Sequence, residues 1–295
     1  MLFIMDIGKV GMWFFLDAMS APDSAEFAKK VEKAGYKALW IPEAIGREPF
    51  VHAAYLLSHT GRLNIATGIA NIWARDAITM SAASKTVAEL SGNRFMLGIG
   101  VSHKPLVSNL RGHNYDKPYS FMKEYLPKMK TALYGAPKPS EEVPVVLAAL
   151  HPKMLALAAA EANGTHTYFV PPEHTAKARA AMGPKPMICA AQAVILETDA
   201  AKARAAARGY MKTYVPRLPN YTNNLKALGW ADAEFENGCS DRLVDAIVAW
   251  GTEDKIRDRI DAHLKAGATH VCILPIRSDN AMLPDMRAVE AFGGR

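Results

Sequence analysis

The sequence contains the same helix-to-strand joint near both ends of the chain, as Lys33-Ala34-Gly35-Tyr36-Lys37-Ala38-Leu39-Trp40 and as Lys265-Ala266-Gly267-Ala268-Thr269-His270-Val271-Cys272. In each copy a glycine can adopt the left-handed conformation that ends a helix before the chain turns into an apolar strand. A joint that recurs over this distance is typical of a chain built from successive αβ units.

Eight short apolar runs predict eight strands, and periodic segments between them predict helices. The runs are continuously apolar rather than alternating, which is typical of parallel strands covered on both faces. The predicted strands are Gly11–Leu16, Ala38–Ile41, Leu63–Ile69, Arg94–Gly100, Val143–Ala149, His166–Val170, Met187–Leu196 and Thr269–Leu274. Eight alternations of strand and helix predict an α/β fold, a (β/α)₈ TIM barrel that forms one domain over residues 1–295.

One long segment interrupts this rhythm. Residues 214–239 are rich in Pro and Asn and predict an irregular insertion before the last helix and strand. Long loops of this kind are usually lids or binding loops. The last helix itself is predicted to begin after an N-cap at Thr252 and to bury Ile256, Ile260 and Leu264 on one face.

The composition excludes several classes of protein. No apolar run reaches the roughly 20 residues of a membrane helix, and the first nine residues do not resemble a secretory signal. The net charge is +6, but Lys and Arg are scattered without a basic stripe, so we expect no nucleic-acid partner and no membrane association. The three cysteines lack metal-site spacing and are expected to be reduced thiols of a cytoplasmic protein without a metal.

Candidate catalytic residues follow the predicted strands, because barrel active sites form at the carboxyl ends of the strands. Asp17 and Glu43, after the first and second strands, are a candidate acid/base pair. His103, after the fourth strand, is the candidate proton donor, because imidazole exchanges protons near neutral pH. The alternatives are carboxylates without a chemical role and a histidine with local hydrogen bonds only.

Other strand ends point to a phosphate and a planar ligand. His151-Pro152 opens a predicted helix, whose free backbone N–H groups could bind a phosphate. Trp73 and Arg75 suit a planar or anionic ligand, or simple packing. The Rossmann, Walker and Gly-x-Ser-x-Gly patterns are absent.

Three consecutive stretches, residues 66–75, 82–95 and 97–103, resemble the luciferase-like oxidoreductases, in particular the branch that uses the 8-hydroxy-5-deazaflavin coenzyme F-420. The most specific part is Leu90-Ser91-Gly92-Asn93-Arg94-Phe95-Met96-Leu97-Gly98-Ile99-Gly100. The resemblance spans nearly the whole chain. It implies a (β/α)₈ barrel with an insertion, in agreement with the pattern of strands and helices.

The resemblance also implies a cofactor site. A non-prolyl cis peptide bond, here Gly68–Ile69, would bulge against the deazaflavin ring, and Asn71 would reach the polar edge of the ring. The backbone around Ala149, Leu150 and His151, with the loop near Thr167, would hold the ribityl-phosphate. The full set of expected cofactor-binding residues is Gly68, Ile69, Ala70, Asn71, Val101, Ser102, Ala149, Leu150, His151 and Thr167. The expected substrate pocket consists of Trp13, Phe14 and Trp73, with the aromatic residues of the stretch Tyr214–Tyr221.

Two positions depart from the sugar-phosphate dehydrogenases of this family. Ala44 stands where they have a histidine base, and His103 stands where they have a glutamate, so that activity is not expected. Three functions remain: hydride transfer between coenzyme F-420 and a small organic substrate, an FMN-dependent monooxygenase or flavin reductase, and a deazaflavin-binding protein without turnover. The resemblance further implies a homodimer.

Overall fold

The computed structural model describes residues 5–294 and contains ten parallel strands, eight of which form a ring. The strands are β1 Val10–Trp13, β2 Ala38–Ile41, β3 Asn64–Thr67, β4 Ala70–Asn71, β5 Phe95–Gly100, β6 Val145–Ala148, β7 Gly164–Thr167, β8 Met187–Ile195, β9 Val248–Trp250 and β10 His270–Pro275. Neighbours around the ring are β1, β2, β3, β5, β6, β7, β8 and β10, and β10 pairs with both β8 and β1. The ring is therefore closed, and the predicted (β/α)₈ barrel is confirmed.

Helices connect the strands on the outside of the ring. They are α1 Ala21–Lys33, α2 Pro49–Ser58, α3 Ala77–Leu90, α4 Pro118–Lys130, α5 Pro152–Glu161, α6 Pro172–Met182, α7 Ala200–Met211, α8 Pro219–Lys226, α9 Asp241–Ile247, α10 Glu253–Lys265 and α11 Met286–Ala291. A π-helical turn spans Pro105–Leu110, and a 3₁₀ segment spans Asp232–Gly238.

Two kinds of sequence signal at helix ends are confirmed, the N-cap before α10 and the glycines of the repeated joint. Thr252 caps α10 by accepting a hydrogen bond from the backbone N–H of Lys255, and Ile256 is buried. The glycines of the repeated joint, Gly35 and Gly267, have φ values of 91° and 105°. Each joint therefore ends its helix in the left-handed conformation and turns the chain into the next strand.

Side chains of the strands alternate between two apolar layers. Met12 and Leu39 pack with helix residues such as Phe27 in the outer layer. Trp13 and Trp40, the next residue of each strand, belong to the cluster inside the ring. Because successive side chains of a strand point to opposite faces, the apolar runs fill both layers at once.

Most predicted strands differ from the observed ones by one or two residues at an end, and three differ in a way that concerns the site. The first ends at Trp13 rather than Leu16. The third is interrupted at Gly68 and resumes as β4. The sixth predicted strand, His166–Val170, begins too late, because the corresponding strand β7 covers Gly164–Thr167. Phe169, with φ of 54°, cannot continue an extended strand. Leu16, Phe169 and Val170 follow strand ends but are buried, so they continue the apolar pattern that predicted the strands.

The insertion is more regular than predicted. Its residues 214–239 contain helix α8 and the 3₁₀ segment, and α9 and β9 follow before α10. The prediction placed an irregular segment directly before the last helix and strand, and it is wrong because α9 and β9 lie between this segment and α10. The strand β10 is also not the last element, because α11 follows it. A strand of three residues such as β9 carries too short a pattern to be separated from the preceding helix.

Gly98 lets β3 and β5 approach each other closely. A Cβ atom at this position would overlap the backbone carbonyl oxygen of Thr67. The amide N–H of Gly98 donates to the Thr67 hydroxyl at 2.9 Å, and that hydroxyl donates to the Gly98 carbonyl at 2.7 Å. The pair fixes the position of Thr67 directly before Gly68, at the edge of the cavity described below.

We expect Gly98→Ala to lower the free energy of unfolding by about 1–3 kcal/mol or more, because the added methyl group must displace backbone. Urea unfolding followed by circular dichroism measures this change. The matched control is Gly61→Ala, where an added Cβ would meet nothing within 4 Å. A control effect within about 1 kcal/mol is expected, and equal effects at the two positions would contradict the packing argument.

Candidate functional site

A cavity of about 640 Å³ opens at the carboxyl ends of the strands. This volume lies within the range of about 300–1,000 Å³ typical of small-molecule sites. Its lining residues are Trp13, Phe15, Pro42, Glu43, Ala44, Gly68, Ile69, Val101, Ser102, His103, Leu106, Tyr115, Pro118, Tyr119, Ala148, Ala149, Leu150, His151, Pro152, Lys153, Met154, His166, Tyr168, Tyr214, Asn220 and Tyr221. The parallel ring therefore brings the loops after six strands, together with the insertion, to one place.

The segment after β3 forms one wall of the cavity. The peptide bond between Gly68 and Ile69 is cis, as the resemblance to the luciferase-like family implied. The carbonyl oxygen of Gly68 accepts a hydrogen bond of 3.0 Å from the indole N–H of Trp13. Gly68, Ile69 and Trp13, which the sequence assigned to the cofactor site and the substrate pocket, all line the cavity.

His103 lines the cavity on the side of the insertion. Its Nε2 lies 3.2 Å from the hydroxyl of Tyr221 in α8, and the two ring centroids are 5.3 Å apart. Burial lowers the pKa of His103 to about 4 and raises the pKa of the Tyr221 phenol. Both groups are therefore neutral near pH 7, and each can donate or accept one hydrogen bond.

Glu43 lines the cavity but is held by several donors. Its Oε2 accepts from the guanidinium of Arg75 and from the backbone N–H of Asn71, both at 2.7 Å. Its Oε1 lies 3.4 Å from the guanidinium of Arg111, and Arg75 also binds Glu48 at 2.8 Å. The carboxylate joins the loops after β2 and β4, an arrangement that favours positioning over proton transfer. Asp17, the other member of the predicted pair, accepts from the backbone of Arg47 and does not line the cavity.

Two predicted members of the substrate pocket lie outside the cavity lining. Phe14 packs against Phe27, with centroids 6.2 Å apart. Trp73 stacks on Phe121 at 4.0 Å and donates from its indole to the carbonyl of Val101 at 3.0 Å. These rings support the loops after β1 and β4.

Three predicted cofactor residues also lie outside the lining, namely Ala70, Asn71 and Thr167. The side-chain oxygen of Asn71 accepts from the backbone N–H of Trp73 at 3.0 Å, so it serves the turn after β4. Thr167 is fully buried at the end of β7. The remaining predicted cofactor residues, Gly68, Ile69, Val101, Ser102, Ala149, Leu150 and His151, line the cavity together.

The start of helix α5 forms another part of the cavity lining. His151 stands at the N-cap without a side-chain capping bond, Pro152 follows, and the first turn contains no acidic residue. Lys153 in this first turn lines the cavity. A cation beside the positive end of a helix is unfavourable unless an anion is bound. The sequence predicted the helix start but not a role for Lys153. The signal for Lys153 is its position directly after Pro152, in the first turn of the predicted helix.

An aromatic wall closes the cavity toward the insertion. Tyr214 and Tyr221 belong to it, as predicted, and Tyr168 joins them. The hydroxyl of Tyr168 accepts from that of Tyr210 at 2.7 Å, and its ring lies 5.2 Å from that of Trp13. Sequence reasoning missed Tyr168 because it fell inside a predicted strand.

Clusters of metal-ligating side chains and disulfides do not occur among the described residues. Within residues 5–294 no group of three or more His, Cys, Asp or Glu side chains could hold a metal ion. Cys189, Cys239 and Cys272 are buried free thiols. In the same residues no helix combines the length and the apolar character that a membrane span requires.

Comparison with known proteins agrees with this architecture. Residues 10–270 match the family described as luciferase-like monooxygenase, so the chain belongs to this family. A 5,10-methylenetetrahydromethanopterin reductase from Methanolobus tindarius is 24% identical, with 84% of this chain and 88% of that protein aligned.

Two solved structures share the fold. One is a coenzyme F-420-dependent secondary alcohol dehydrogenase in complex with an adduct of the coenzyme and acetone, with a TM-score of 0.77, 16% identity and 96% of each chain covered. The other is a type II Baeyer-Villiger monooxygenase of Pseudomonas putida in complex with FMN, with a TM-score of 0.68, 14% identity, and coverage of 97% of this chain and 96% of that one.

We expect His103→Gln to flatten the fall of stability between about pH 6.5 and pH 4. The pKa of His103 is lowered from 6.5 to about 4 by burial. In this window the unfolded chain binds a proton that the folded protein does not, so stability falls as the pH falls. Removing this one group should reduce the slope by up to about 1.4 kcal/mol per pH unit. Urea unfolding at several pH values measures the slope. Tyr221→Phe, which keeps the imidazole, should retain the steeper slope, and an unchanged slope in His103→Gln would contradict the burial of a neutral ring.

Proposed function

We propose that this protein is an oxidoreductase that transfers a hydride between coenzyme F-420 and a small organic substrate. One observation carries the proposal: the lining of a single cavity combines apolar and aromatic side chains with an uncapped helix start that carries the cation of Lys153. A cofactor that consists of a planar ring and a phosphate-bearing tail requires both parts.

The residues present fit such a cofactor. Ile69 and Val101 with the rings of Trp13 and Tyr168 offer apolar surface to a planar ring. The backbone N–H of Lys153 and its side-chain cation at the start of α5 offer a site to a phosphate. When bound, the deazaflavin supplies hydride exchange at a ring carbon, while the protein binds and orients its reactants.

The relatives support this choice of chemistry. The aligned reductase and the secondary alcohol dehydrogenase act on different substrates, so they support a reaction class and not a substrate. The FMN complex of the same fold supports the alternative, an FMN-dependent monooxygenase or flavin reductase.

We assign to His103 a place beside the substrate. Its neutral ring and the Tyr221 hydroxyl form a donor–acceptor pair within an otherwise aromatic wall. Such a pair can hold a carbonyl or hydroxyl group of the substrate and give or take its proton. Glu43, engaged by Arg75, Arg111 and the backbone of Asn71, would position the loops instead.

The first experiment is a pair of fluorescence titrations of the purified protein, one with coenzyme F-420 and one with FMN. Micromolar binding of the deazaflavin in preference to FMN is the expected result. Preferential binding of FMN would replace the proposal by its alternative. Binding of neither would reject both.

We expect Lys153→Met to weaken binding of coenzyme F-420 by about 5- to 100-fold, because a hydrogen bond to a charged group contributes roughly 1–3 kcal/mol. The same titration measures this loss. The deazaflavin nucleoside without its phosphate should bind both proteins equally. Lys177→Met, whose ammonium group donates to the carbonyl of Ala227 outside the cavity, is the matched control. An equal loss for the nucleoside would contradict a phosphate contact.

Turnover separates an enzyme from a cofactor-binding protein. Reduced and oxidised coenzyme F-420 would be offered with panels of activated alkenes, ketones and secondary alcohols. For any accepted substrate, His103→Gln should lower kcat by about 10²–10⁴-fold if the ring transfers a proton in the transition state. Unchanged turnover would remove this role, and no turnover across the panel would favour the binding protein.

We further propose a homodimer. Ile45, Val51 and Ile78 are 76%, 71% and 62% exposed. Val51 lies at the beginning of α2 and Ile78 at the beginning of α3, and the Arg75–Glu48 ion pair joins these two helix starts. An exposed apolar patch of this kind is typical of an interface. Sedimentation should show a dimer that Ile78→Glu weakens and that Leu133→Glu, exposed at the end of α4, does not. A monomeric wild type would contradict the interface.

We propose a cytoplasmic location from the three reduced thiols, because free cysteines are typical of reducing compartments. The scattered positive charges favour a small-molecule substrate over a nucleic-acid partner.

A further inference from the structure

A histidine of β7 lines the cavity and has one ring nitrogen without a partner among the described residues. His166 is 3% exposed and lines the cavity. Its ring stacks on Trp40, with centroids 4.8 Å apart and an interplanar angle of 9°. Its Nε2 is buried and has no hydrogen-bond partner among residues 5–294.

The other ring nitrogen fixes the tautomer. Nδ1 lies 3.1 Å from the carbonyl oxygen of Cys189, and a carbonyl can only accept, so Nδ1 carries the proton. Burial lowers the pKa of His166 to about 3, so the ring stays neutral at neutral pH. Nε2 is therefore a bare acceptor.

A buried acceptor without a donor is unfavourable and uncommon in folded proteins. The surroundings of this one show where a donor can come from. Trp40, which stacks on His166, also has its Cβ 3.3 Å from the position that a Cβ on Gly68 would take. His166 and the Gly68–Ile69 wall are thus held by one tryptophan, and both face the cavity.

We propose that His166 Nε2 accepts a hydrogen bond from a ring N–H of the bound cofactor, namely the N–H between the two carbonyl groups of the pyrimidine edge that deazaflavins and flavins share. The inference rests on the proposed function only because it requires a bound ligand that carries this pyrimidine edge. A neutral acceptor attracts an N–H group but repels a carbonyl or phenolate oxygen. His166 is thus a positioning residue that determines which edge of the ring enters the barrel.

The direct test is nitrogen NMR of the protein with ¹⁵N-labelled histidine. In the free protein one histidine should show the resonance of a bare imine nitrogen at Nε2, and His166→Gln should remove it. Saturation with coenzyme F-420 or with FMN should move this resonance upfield, because the nitrogen then accepts a hydrogen bond. A flavin methylated at the pyrimidine N–H should bind without moving it.

Affinity provides a second readout. His166→Phe keeps a planar ring against Trp40 and removes the acceptor, and we expect it to bind the cofactor about 5- to 100-fold more weakly. His166→Gln, whose side-chain oxygen can accept near the position of Nε2, should recover part of the loss. Methylation of the pyrimidine N–H should weaken binding to the wild type but not to His166→Phe, because both changes remove the same contact.

The matched control is His263→Phe. His263 is equally buried, but its ring nitrogens are bound to Gln192 and Thr175 away from the cavity. This variant should bind the cofactor as the wild type does, within about twofold, if it folds. The NMR measurement requires only one variant, His166→Gln, which assigns the Nε2 resonance.

The outcomes separate the two proposals. If neither cofactor binds the wild type, the proposed function fails and the inference fails with it. If a cofactor binds while the Nε2 resonance stays in place and His166→Phe binds equally well, the inference alone is overturned. Equal losses in His166→Phe and His263→Phe would also overturn it, since they would indicate a general loss of packing.

Discussion

The pairing of β10 with both β8 and β1 is the constraint on which the rest of the structure depends. It closes the ring, so that no strand edge of the barrel is left unpaired. Because every pair in the ring is parallel, each loop after a strand emerges at the same rim. A residue such as His103 can therefore meet Tyr221 from a part of the sequence more than a hundred positions away.

Closure also creates a dry interior in which polar groups must find partners. The indole N–H of Trp40 donates to Nε2 of His270, whose Nδ1 lies 2.7 Å from the carbonyl of Gly8. Burial lowers the pKa of His270 to about 4, so this chain contains no charge near neutral pH. His166 stacks on Trp40, and its Nε2 is the buried ring nitrogen of this arrangement that has no partner among the described residues.

At the rim, some polar residues hold the loops, even where they line the cavity as Glu43 does, and others line it outside this network. Glu43, Asn71 and Arg75 bind one another and the backbone, and together they join the loops after β2 and β4. His103 and Lys153 remain in contact with the cavity. A charged network within the loops fixes their shape before any ligand binds, which reduces the entropy lost on binding.

The sequence by itself determined the barrel, the helix starts at Thr252 and Pro152, and the strand ends that precede His103 and His151. These follow from local periodicity, capping and turn chemistry, which act over a few residues. Only the tertiary structure decided that Asn71 and Trp73 support loops and that Tyr168 faces the cavity. It also placed His166 with a free acceptor beside Trp40, because that depends on strand ends, the direction of each side chain and contacts between strands that are not neighbours. No local pattern contains this information, since closure of the ring is what brings those residues together.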